Sequence, residues 1–292
     1  MILVTGATGN AGSQVVRALL ERGREVRAFV RDPDRAHDLF GDEVEPARGD
    51  FGDPRSVRAA LEGVEEVVLS CADDPRRVGW ETHAIDAAAA TGVRRIVKLS
   101  AIAAEPDAPV AFWAWHGRVE RHLRRSGIPS VVLRSSVYMS NVLAGAEQVA
   151  REGRLSAPAG EARIAMVDPR DVGAAAAAVL STAGHDGRTY ILTGPEAITY
   201  AEVATGLSAA TGREIDFVHV GDEDARRGMI EDGLPDLIAD QVVTLFAMLR
   251  AGAAEEVTPM VESLTGRLPR DFATFARDHA CLFAPASVGA RR

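Results

Sequence analysis

A glycine-rich turn directly after the first apolar run constrains the fold of this chain more than any other feature. Residues 2–20 read ILVTGATGNAGSQVVRALL, so Gly6, Gly9 and Gly12 stand between a short strand-like run and an amphipathic helical pattern. A strand, a tight turn and a helix in this order begin a βαβ unit, in which the helix packs against a parallel sheet. The segment therefore predicts an α/β protein whose sheet includes residues 2–5.

Each of the three glycines has a separate task in such a unit. The first allows the tight turn, the second lets backbone amides approach a pyrophosphate at the positive end of the helix, and the third lets the helix pack closely on the strand. This pattern at the start of a βαβ array favours a dinucleotide site over a glycine turn without a ligand. The residues predicted to bind the cofactor here are Gly6, Ala7, Thr8, Gly9, Asn10, Ala11 and Gly12.

Apolar, β-rich runs alternate with segments of helical length through the first half of the chain. The runs after the first one cover residues 25–30, 44–47, 64–70, 94–100 and 130–134. This alternation predicts a doubly wound parallel sheet of the Rossmann type. The nearly continuous apolar content of VEEVVLSC and RRIVKLS indicates strands that are covered on both faces.

The alternation becomes looser after residue 150. Residues 153–161 are rich in Gly, Pro and Ala, and the chain after residue 222 has mostly helical patterns. We therefore predict an NAD(P)-binding Rossmann domain at 1–150 and a smaller, mostly helical substrate-side lobe at 151–292. Residues 164–194, which contain a helix pattern and a strand pattern, are predicted to return to the first domain.

The residue at the end of the second strand indicates which dinucleotide binds. An NAD site usually has an acid there, about 20 residues after the glycine turn, but this chain has Arg31. A guanidinium suits a 2′-phosphate or stacks on adenine, so we predict NADPH as the cofactor in preference to NADH. Two alternatives stay open: Asp32 reverses this preference, or Arg31 is only a solvated charge.

Further cofactor contacts are predicted where other strands end, since ligands of such sheets bind at the carboxyl ends of the strands. Asp50 and Phe51 follow the third strand, and the Asp50 carboxylate either accepts from the adenine amino group or is a turn residue. The backbones of Cys71, Ala72 and Ser100 are predicted to line the cofactor after strands four and five. The Cys71 thiol has no His or Lys nearby in the sequence, so it is not predicted to be reactive.

Charge and composition exclude several classes of function. The chain has 33 Lys and Arg against 42 Asp and Glu, and Lys98 is its only lysine, so no basic surface for nucleic acid is expected. Its most apolar stretch, residues 172–180, is about half the length of a membrane span, and MILVTG lacks the basic region of a secretory signal. Cys71 and Cys281 match no metal or redox spacing, which predicts no metal site and a reducing cytoplasm.

The turn TGATGNAG and the sequence GDF at residues 49–51 resemble the short-chain dehydrogenase/reductase superfamily. The usual Tyr-x-x-x-Lys pair of that superfamily is absent, because Lys98 precedes every tyrosine. Tyr138, Tyr190 and Tyr200 are followed four positions later by Val142, Gly194 and Ala204. Protonation of a ketone by a lysine-assisted tyrosine is therefore not available.

Residues 115–141, WHGRVERHLRRSGIPSVVLRSSVYMSN, resemble the NmrA-like branch of this superfamily, as do VDPRDV and LTGPEAIT further along. The branch includes NADPH-dependent quinone and triarylmethane dye reductases, aromatic ether reductases and non-catalytic redox-sensing regulators. The resemblance implies that His116 lies beside the nicotinamide. The usual LRP of the branch is LRS here, at Leu133 to Ser135, which makes this wall of the pocket less predictable.

The helical pattern at 110–126 places His116 on one face with Phe112, Val119 and Leu123, so the imidazole is expected to point toward the sheet. Two interpretations stay open. A backbone carbonyl satisfies a buried histidine, or the imidazole is the catalytic group that binds the nicotinamide ribose or relays a proton. Glu120 either orients the imidazole or pairs with Arg124 on the outer surface.

Large flat or polarizable side chains near this segment suggest a planar aromatic substrate. The predicted substrate-binding residues are Trp113, Tyr138, Met139 and Asn141. The alternatives are ordinary core packing for Trp115, which lies in the same segment, and for Met139, and a helix N-cap for Asn141.

The leading functional hypothesis is an NADPH-dependent reductase that transfers hydride to a conjugated aromatic acceptor, such as a quinone or a polycyclic natural-product intermediate. Hydride addition to such an acceptor yields a delocalised anion, which needs little acid assistance. The alternative is a non-catalytic NADP(H)-sensing regulator. The third hypothesis, an aromatic ether reductase, ranks last. The resemblance implies a lysine in the substrate region for that activity, and the only lysine of this chain, Lys98, lies on a predicted strand outside that region. A homodimer is compatible with the sequence.

Overall fold

The computed structural model describes residues 1–285. The strands are β1 (Ile2–Thr5), β2 (Val26–Val30), β3 (Glu45–Arg48), β4 (Glu66–Leu69), β5 (Arg95–Ala101), β6 (Ser130–Ser135), β7 (Arg154–Ala157), β8 (Thr189–Leu192) and β9 (Asp216–His219). The α-helices are α1 (Asn10–Leu20), α2 (Pro33–Phe40), α3 (Pro54–Ala60), α4 (Arg77–Thr91), α5 (Ala111–Ser126), α6 (Ala146–Glu152), α7 (Pro169–Ser181), α8 (Tyr200–Thr211), α9 (Asp222–Glu231), α10 (Asp236–Arg250), α11 (Met260–Thr265) and α12 (Phe272–Asp278). Short 3₁₀ helices cover Gly41–Glu43, Met139–Gly145 and Ala280–Phe283.

Seven parallel strands form the main sheet in the order β3-β2-β1-β4-β5-β6-β8, and β7 pairs with β9 in a separate parallel pair. In register, Ile2 of β1 lies opposite Val26 of β2 and Glu66 of β4. The predicted Rossmann-type sheet is therefore confirmed. Because the strand order reverses between β1 and β4, the crevice at their carboxyl ends is the place where such sheets bind ligands.

The chain divides into two compact units. The first contains Met1–Ser135, Pro169–Leu192 and Pro259–Leu268, and the second contains the segments from Ser136 to Asp168, from Thr193 to Thr258 and from Pro269 onward. The second unit thus starts at Ser136, before the predicted border at residue 150. The helix α7 and the strand β8 belong to the first unit, as we expected for residues 164–194. The helix α11 also belongs to this unit, which was not predicted. The assignment of these parts as domains stays a prediction.

The first unit packs helices on both faces of its sheet. On one face, apolar residues of β1, β4 and β5 pack with α3, α4 and α5, including Leu3, Val67, Ile85 and Leu123. On the other face α7 lies very close to α1, since a Cβ at Gly173 would lie 2.5 Å from the backbone carbonyl of Gln14. Short apolar strands of this kind are stable only when both faces are covered.

Local signals in the sequence set several helix starts. The Asp53 carboxylate accepts from the Arg55 amide at 3.0 Å and starts α3, and Thr199 and Glu202 form a reciprocal capping box at α8. The second unit contains an aromatic cluster in which Tyr200 packs against Phe217 and Phe246. Within residues 1–285, no helix is long and apolar enough to cross a bilayer.

Candidate cofactor and active site

The glycine turn has the geometry that its sequence predicts. Gly6 has φ +61°, a left-handed conformation that glycine adopts without strain, and the Gly9 amide donates to the Gly6 carbonyl at 2.9 Å. A Cβ at Gly12 would lie 2.1 Å from the same carbonyl oxygen, so only glycine allows α1 to approach the turn this closely. Gly9 caps α1 without a side-chain hydrogen bond, which leaves the start of the helix suited to an anion.

Thr5 connects the ends of the two central strands beside this turn. Its hydroxyl donates to the Ser70 carbonyl at 2.7 Å and accepts from the Ser70 amide at 2.9 Å. These bonds hold the carboxyl ends of β1 and β4 together. The glycine turn therefore starts from a fixed position at the point where the strand order reverses.

Arg31 and Asp32 at the end of β2 have different environments. The Asp32 carboxylate accepts from the Asp34 amide at 3.1 Å and is the N-cap of α2, so this acid has a structural task. Arg31 is exposed at the carboxyl end of its strand. This arrangement is compatible with a guanidinium for a 2′-phosphate, and the contact itself stays a prediction.

Asp50 and Phe51 lie in the turn after β3. The Asp50 carboxylate accepts from the Gly52 amide at 2.7 Å, which confirms the turn interpretation and does not exclude the predicted adenine contact. The Phe51 ring lies nearly parallel to Trp80 of α4, at 13° and 6.4 Å between centroids. The Arg76 guanidinium lies 4.5 Å from the Trp80 ring centroid.

Trp80 and Arg76 were not predicted as site residues. Their spacing of four positions in RRVGW is the signal that could have placed them on one face of a helix start. Asp74 holds Arg76 through two hydrogen bonds of 2.9 and 2.8 Å, and the hydrogen bond from Arg76 lowers the pKa of Asp74 to about 2. The half-buried ring of Trp80 and the exposed guanidinium of Arg76 thus lie near Asp50.

A buried ionic cluster joins α4 to β5. The Lys98 ammonium lies 2.7 Å from the Glu81 carboxylate, and Arg77 Nε donates to the same carboxylate at 3.3 Å. Arg77 also donates to the Cys71 carbonyl at 3.0 Å and pairs with Asp73. The cluster therefore fixes the backbone at the carboxyl end of β4, where Cys71 and Ala72 were predicted to line the cofactor.

The Cys71 thiol is not activated by the nearby cations. Burial, followed by the Glu81 charge, raises the pKa of Cys71 to about 12. The thiol therefore stays protonated and is a poor nucleophile, in agreement with the expectation from the sequence.

His116 points into the interior from α5, as the helical pattern predicts, and is only 8% exposed. Its Nδ1 atom is buried and has no hydrogen-bond partner in the described part of the chain. The predicted alternative, a buried histidine satisfied by a backbone carbonyl, therefore does not apply to Nδ1. Burial, and then the charges of Arg77, Lys98 and Arg134, hold the pKa of His116 well below its usual value of 6.5, so the imidazole is neutral.

Glu120 lies one helical turn after His116 and is fully buried. Its carboxylate accepts from the Ser100 hydroxyl at 2.6 Å and from Arg134 at 2.8 and 3.1 Å. Arg124 donates to Glu120 at 3.3 Å, so the predicted pair exists. It does not lie on the outer surface, however, because the Glu120 carboxylate is buried. Since Ser100 and Arg134 come from neighbouring strands, periodicity along α5 could not reveal these partners.

The predicted substrate residues lie in both compact units. Trp113 is buried on α5 in the first unit, whereas Tyr138, Met139 and Asn141 belong to the second. Tyr138 is half-buried, Met139 is buried and Asn141 is exposed. The N-cap of the 3₁₀ helix Met139–Gly145 is Tyr138, so Asn141 as an N-cap is wrong. The contact of these four residues with a substrate stays a prediction.

Comparison with known proteins identifies the family of the chain. The model of the NmrA-like family matches residues 1–276. An NAD(P)H azoreductase of Xenophilus azovorans is 37% identical over 98% of this chain and 100% of its own length. Quinone oxidoreductase 2 of Escherichia coli is 33% identical over 83% of this chain and 85% of its own length.

Two solved structures share the fold along nearly the whole chain. One is an NADPH-dependent quinone oxidoreductase of Escherichia coli in complex with NADPH, with a TM-score of 0.86, 30% identity and coverage of 95% of this chain and 99% of that one. The other is a triphenylmethane reductase of Citrobacter in complex with NADP(H), with a TM-score of 0.85, 26% identity and coverage of 96% and 100%. This chain belongs to the NmrA-like family.

Proposed function

We propose that this protein is an NADPH-dependent reductase that transfers a hydride to a conjugated aromatic acceptor, such as a quinone or a polycyclic natural-product intermediate. The observation that carries this proposal is the neutral, buried imidazole of His116, whose Nδ1 atom has no partner in the described chain. Buried polar atoms are almost always hydrogen-bonded, so an unpartnered one marks the surroundings of His116 as a candidate ligand site. Relatives named as azoreductase and quinone oxidoreductase support the same class of reaction.

The residues present fit a phosphorylated dinucleotide. The glycine turn and the start of α1 suit its pyrophosphate, and Arg31, beside an Asp32 that caps α2, suits the 2′-phosphate. The His116 imidazole would lie beside the nicotinamide end, as the resemblance of residues 115–141 implies. When bound, NADPH supplies a hydride ion from its nicotinamide ring.

The chain itself contributes binding and orientation. Because its lowered pKa keeps His116 unprotonated, the imidazole has no imidazolium proton to donate, and no tyrosine and lysine pair is available to protonate a localised alkoxide. A conjugated acceptor spreads the incoming negative charge over its ring system and needs less proton transfer.

The test is the acceptor-dependent loss of NADPH absorbance, with NADH in parallel, across a panel of quinones, triarylmethane dyes and polycyclic ketones. We expect turnover with quinones or dyes and a preference for NADPH. A reaction mixture without acceptor is the control for spontaneous oxidation. Tight NADPH binding without turnover on any acceptor would overturn the reductase and favour an NADP(H)-sensing regulator instead.

We also propose that the reductase works in a reducing cytoplasm with a small molecule as its partner. Cys71 and Cys281 are both free thiols, which suits a compartment without disulfide formation. Assembly into a homodimer stays a prediction, which the mass of the protein in solution would test.

A further inference from the structure

Ser100 lies near the carboxyl end of β5 and is almost completely buried. Its hydroxyl donates to the Glu120 carboxylate with an oxygen–oxygen distance of 2.6 Å. Hydrogen bonds from a hydroxyl to a carboxylate have this length and are about twice as strong as those between neutral groups. The position of the Ser100 proton is therefore set by Glu120.

Both oxygens of Glu120 have further donors. Arg134 Nε donates to Oε1 at 3.1 Å and Arg134 Nη2 donates to Oε2 at 2.8 Å, a side-on pair with two parallel bonds. The carboxylate is fully buried and cannot turn without breaking these bonds. Glu120 is therefore held rigidly against Ser100.

Arg134 is itself fixed from a second direction. Its Nη2 atom also donates to the Ala104 carbonyl at 2.6 Å, in the segment between β5 and α5. Arg134 thus connects β6, α5 and this segment through one planar group. The neighbouring Ala103 has φ +55°, a conformation that is costly for a residue with a side chain and that the surrounding bonds maintain.

A serine hydroxyl has one proton to donate and two lone pairs that accept. In Ser100 the proton is committed to a carboxylate that can only accept. We propose that Arg134 and Glu120 are positioning residues that fix this proton, so that Ser100 Oγ meets a bound ligand only as a hydrogen-bond acceptor. Its partner is then an O–H or N–H donor, either on the nicotinamide half of the cofactor or on the acceptor substrate.

This inference rests on the proposed function, because it concerns the same site, and it makes that function more specific. Ser100 does not donate a proton or a hydrogen bond to an oxygen that gains negative charge during hydride transfer. The negative charge of the reduced acceptor is stabilised by delocalisation over its conjugated ring system. The role of Ser100 is to select and orient a donor group of the ligand.

The first arm of the test compares Ser100→Ala with Ser100→Thr. The dissociation constant of NADPH is measured by titration calorimetry, and the KM of a hydroxylated quinone, which carries an O–H donor, is measured at saturating NADPH. We expect Ser100→Ala to raise one of these two constants by roughly fivefold to tenfold, the effect of losing one hydrogen bond. The constant that rises identifies the source of the donor. Ser100→Thr, which keeps a hydroxyl, is expected to recover most of the loss.

The second arm tests the direction of the bond with Glu120→Gln. The new amide group can donate to Ser100 Oγ, which occupies a lone pair and frees the proton of Ser100. We expect Glu120→Gln to raise the same constant that Ser100→Ala raises. In the double variant Ser100→Ala/Glu120→Gln, this constant should be no higher than in Ser100→Ala alone. Glu105→Gln is the matched control, because Glu105 is exposed and contacts Arg134 only at 3.4 Å. It should leave both constants unchanged.

The outcomes separate the two proposals. If the natural protein does not bind NADPH, the proposed function fails and the inference falls with it. If NADPH binds but Ser100→Ala changes neither constant, or lowers only the melting temperature, the inference alone is overturned. Should Glu120→Gln fail to fold, the comparison of Ser100→Ala with Ser100→Thr still decides whether Ser100 contacts a ligand.

Discussion

The ammonium of Lys98 lies 2.7 Å from the carboxylate of Glu81, and neither side chain has any solvent exposure. Lys98 is the only lysine of the protein, and it lies on a central strand of the sheet. Burial lowers the pKa of Lys98, whereas the charge of Glu81 raises it and opposes that shift. The pair is therefore a structural feature with an electrostatic influence on His116.

Breaking this pair should destabilise the fold. Lys98→Met leaves Glu81 with less compensation in the interior, and removal of one partner of a buried pair costs about 3–5 kcal/mol. The free energy of unfolding in urea measures this loss. The double variant Lys98→Met/Glu81→Leu should recover only part of it, because both charges of the pair are removed but the buried Arg77 loses its contact with Glu81. A loss below about 1 kcal/mol for Lys98→Met would contradict the prediction.

His116→Ala should lower kcat on an accepted quinone by roughly tenfold or more, because it removes the group predicted to hold the nicotinamide end. Steady-state kinetics at saturating NADPH check this. His122→Gln is the matched control on the same helix, since His122 pairs with Asp86 at 2.6 Å near the surface. Equal kcat values for His116→Ala and the natural protein would remove His116 from the mechanism.

The lowered pKa of His116 predicts a dependence of stability on pH. In the unfolded chain the imidazole binds a proton near pH 6.5, whereas in the folded protein it stays neutral. Below pH 6.5 the unfolded state binds more protons than the folded state at His116. The free energy of unfolding therefore decreases as the pH falls through 6.5. Between pH 7.5 and 5.5 the free energy of unfolding should fall by up to about 1.4 kcal/mol more in the natural protein than in His116→Gln. Equal losses in the two proteins would show that the buried imidazole is protonated.

Arg31→Ala should reduce the preference for NADPH over NADH by roughly tenfold, since charge-assisted bonds to the 2′-phosphate would be lost. The ratio of kcat/KM for the two cofactors measures this preference. Arg125→Ala, an exposed arginine at the end of α5, is the control for a change in overall charge. An unchanged ratio in Arg31→Ala would mean that Arg31 is only a solvated charge.

Adenosine 2′,5′-bisphosphate should quench the fluorescence of Trp80, because Trp80 stands beside Phe51 and the turn that contains Asp50. Titration of the natural protein should show saturable quenching, which Trp80→Phe abolishes. In Trp115→Phe the quenching should persist, since Trp115 lies on α5. Quenching of the same size in Trp80→Phe would contradict this location of the adenosine.

Short-range signals account for most of what the sequence predicted correctly. The turn at Gly6, the helix starts at Asp53 and Thr199, and the inward direction of His116 depend on residues within a few positions of each other. Such local features form in the same way wherever the segment lies in a fold. The strand pattern was equally readable, because buried parallel strands need apolar residues on both faces.

The sequence by itself determined the Rossmann sheet, the glycine turn and the class of cofactor, because each is set by local pattern and chain connectivity. Only the tertiary structure decided which polar residues are buried together. Glu120 meets Ser100 and Arg134 across 20 and 14 positions of the chain, and Lys98 meets Glu81 across 17. A buried charge is tolerated only where a partner of opposite charge or a hydrogen-bond donor lies against it, and such partners come together when strands and helices pack.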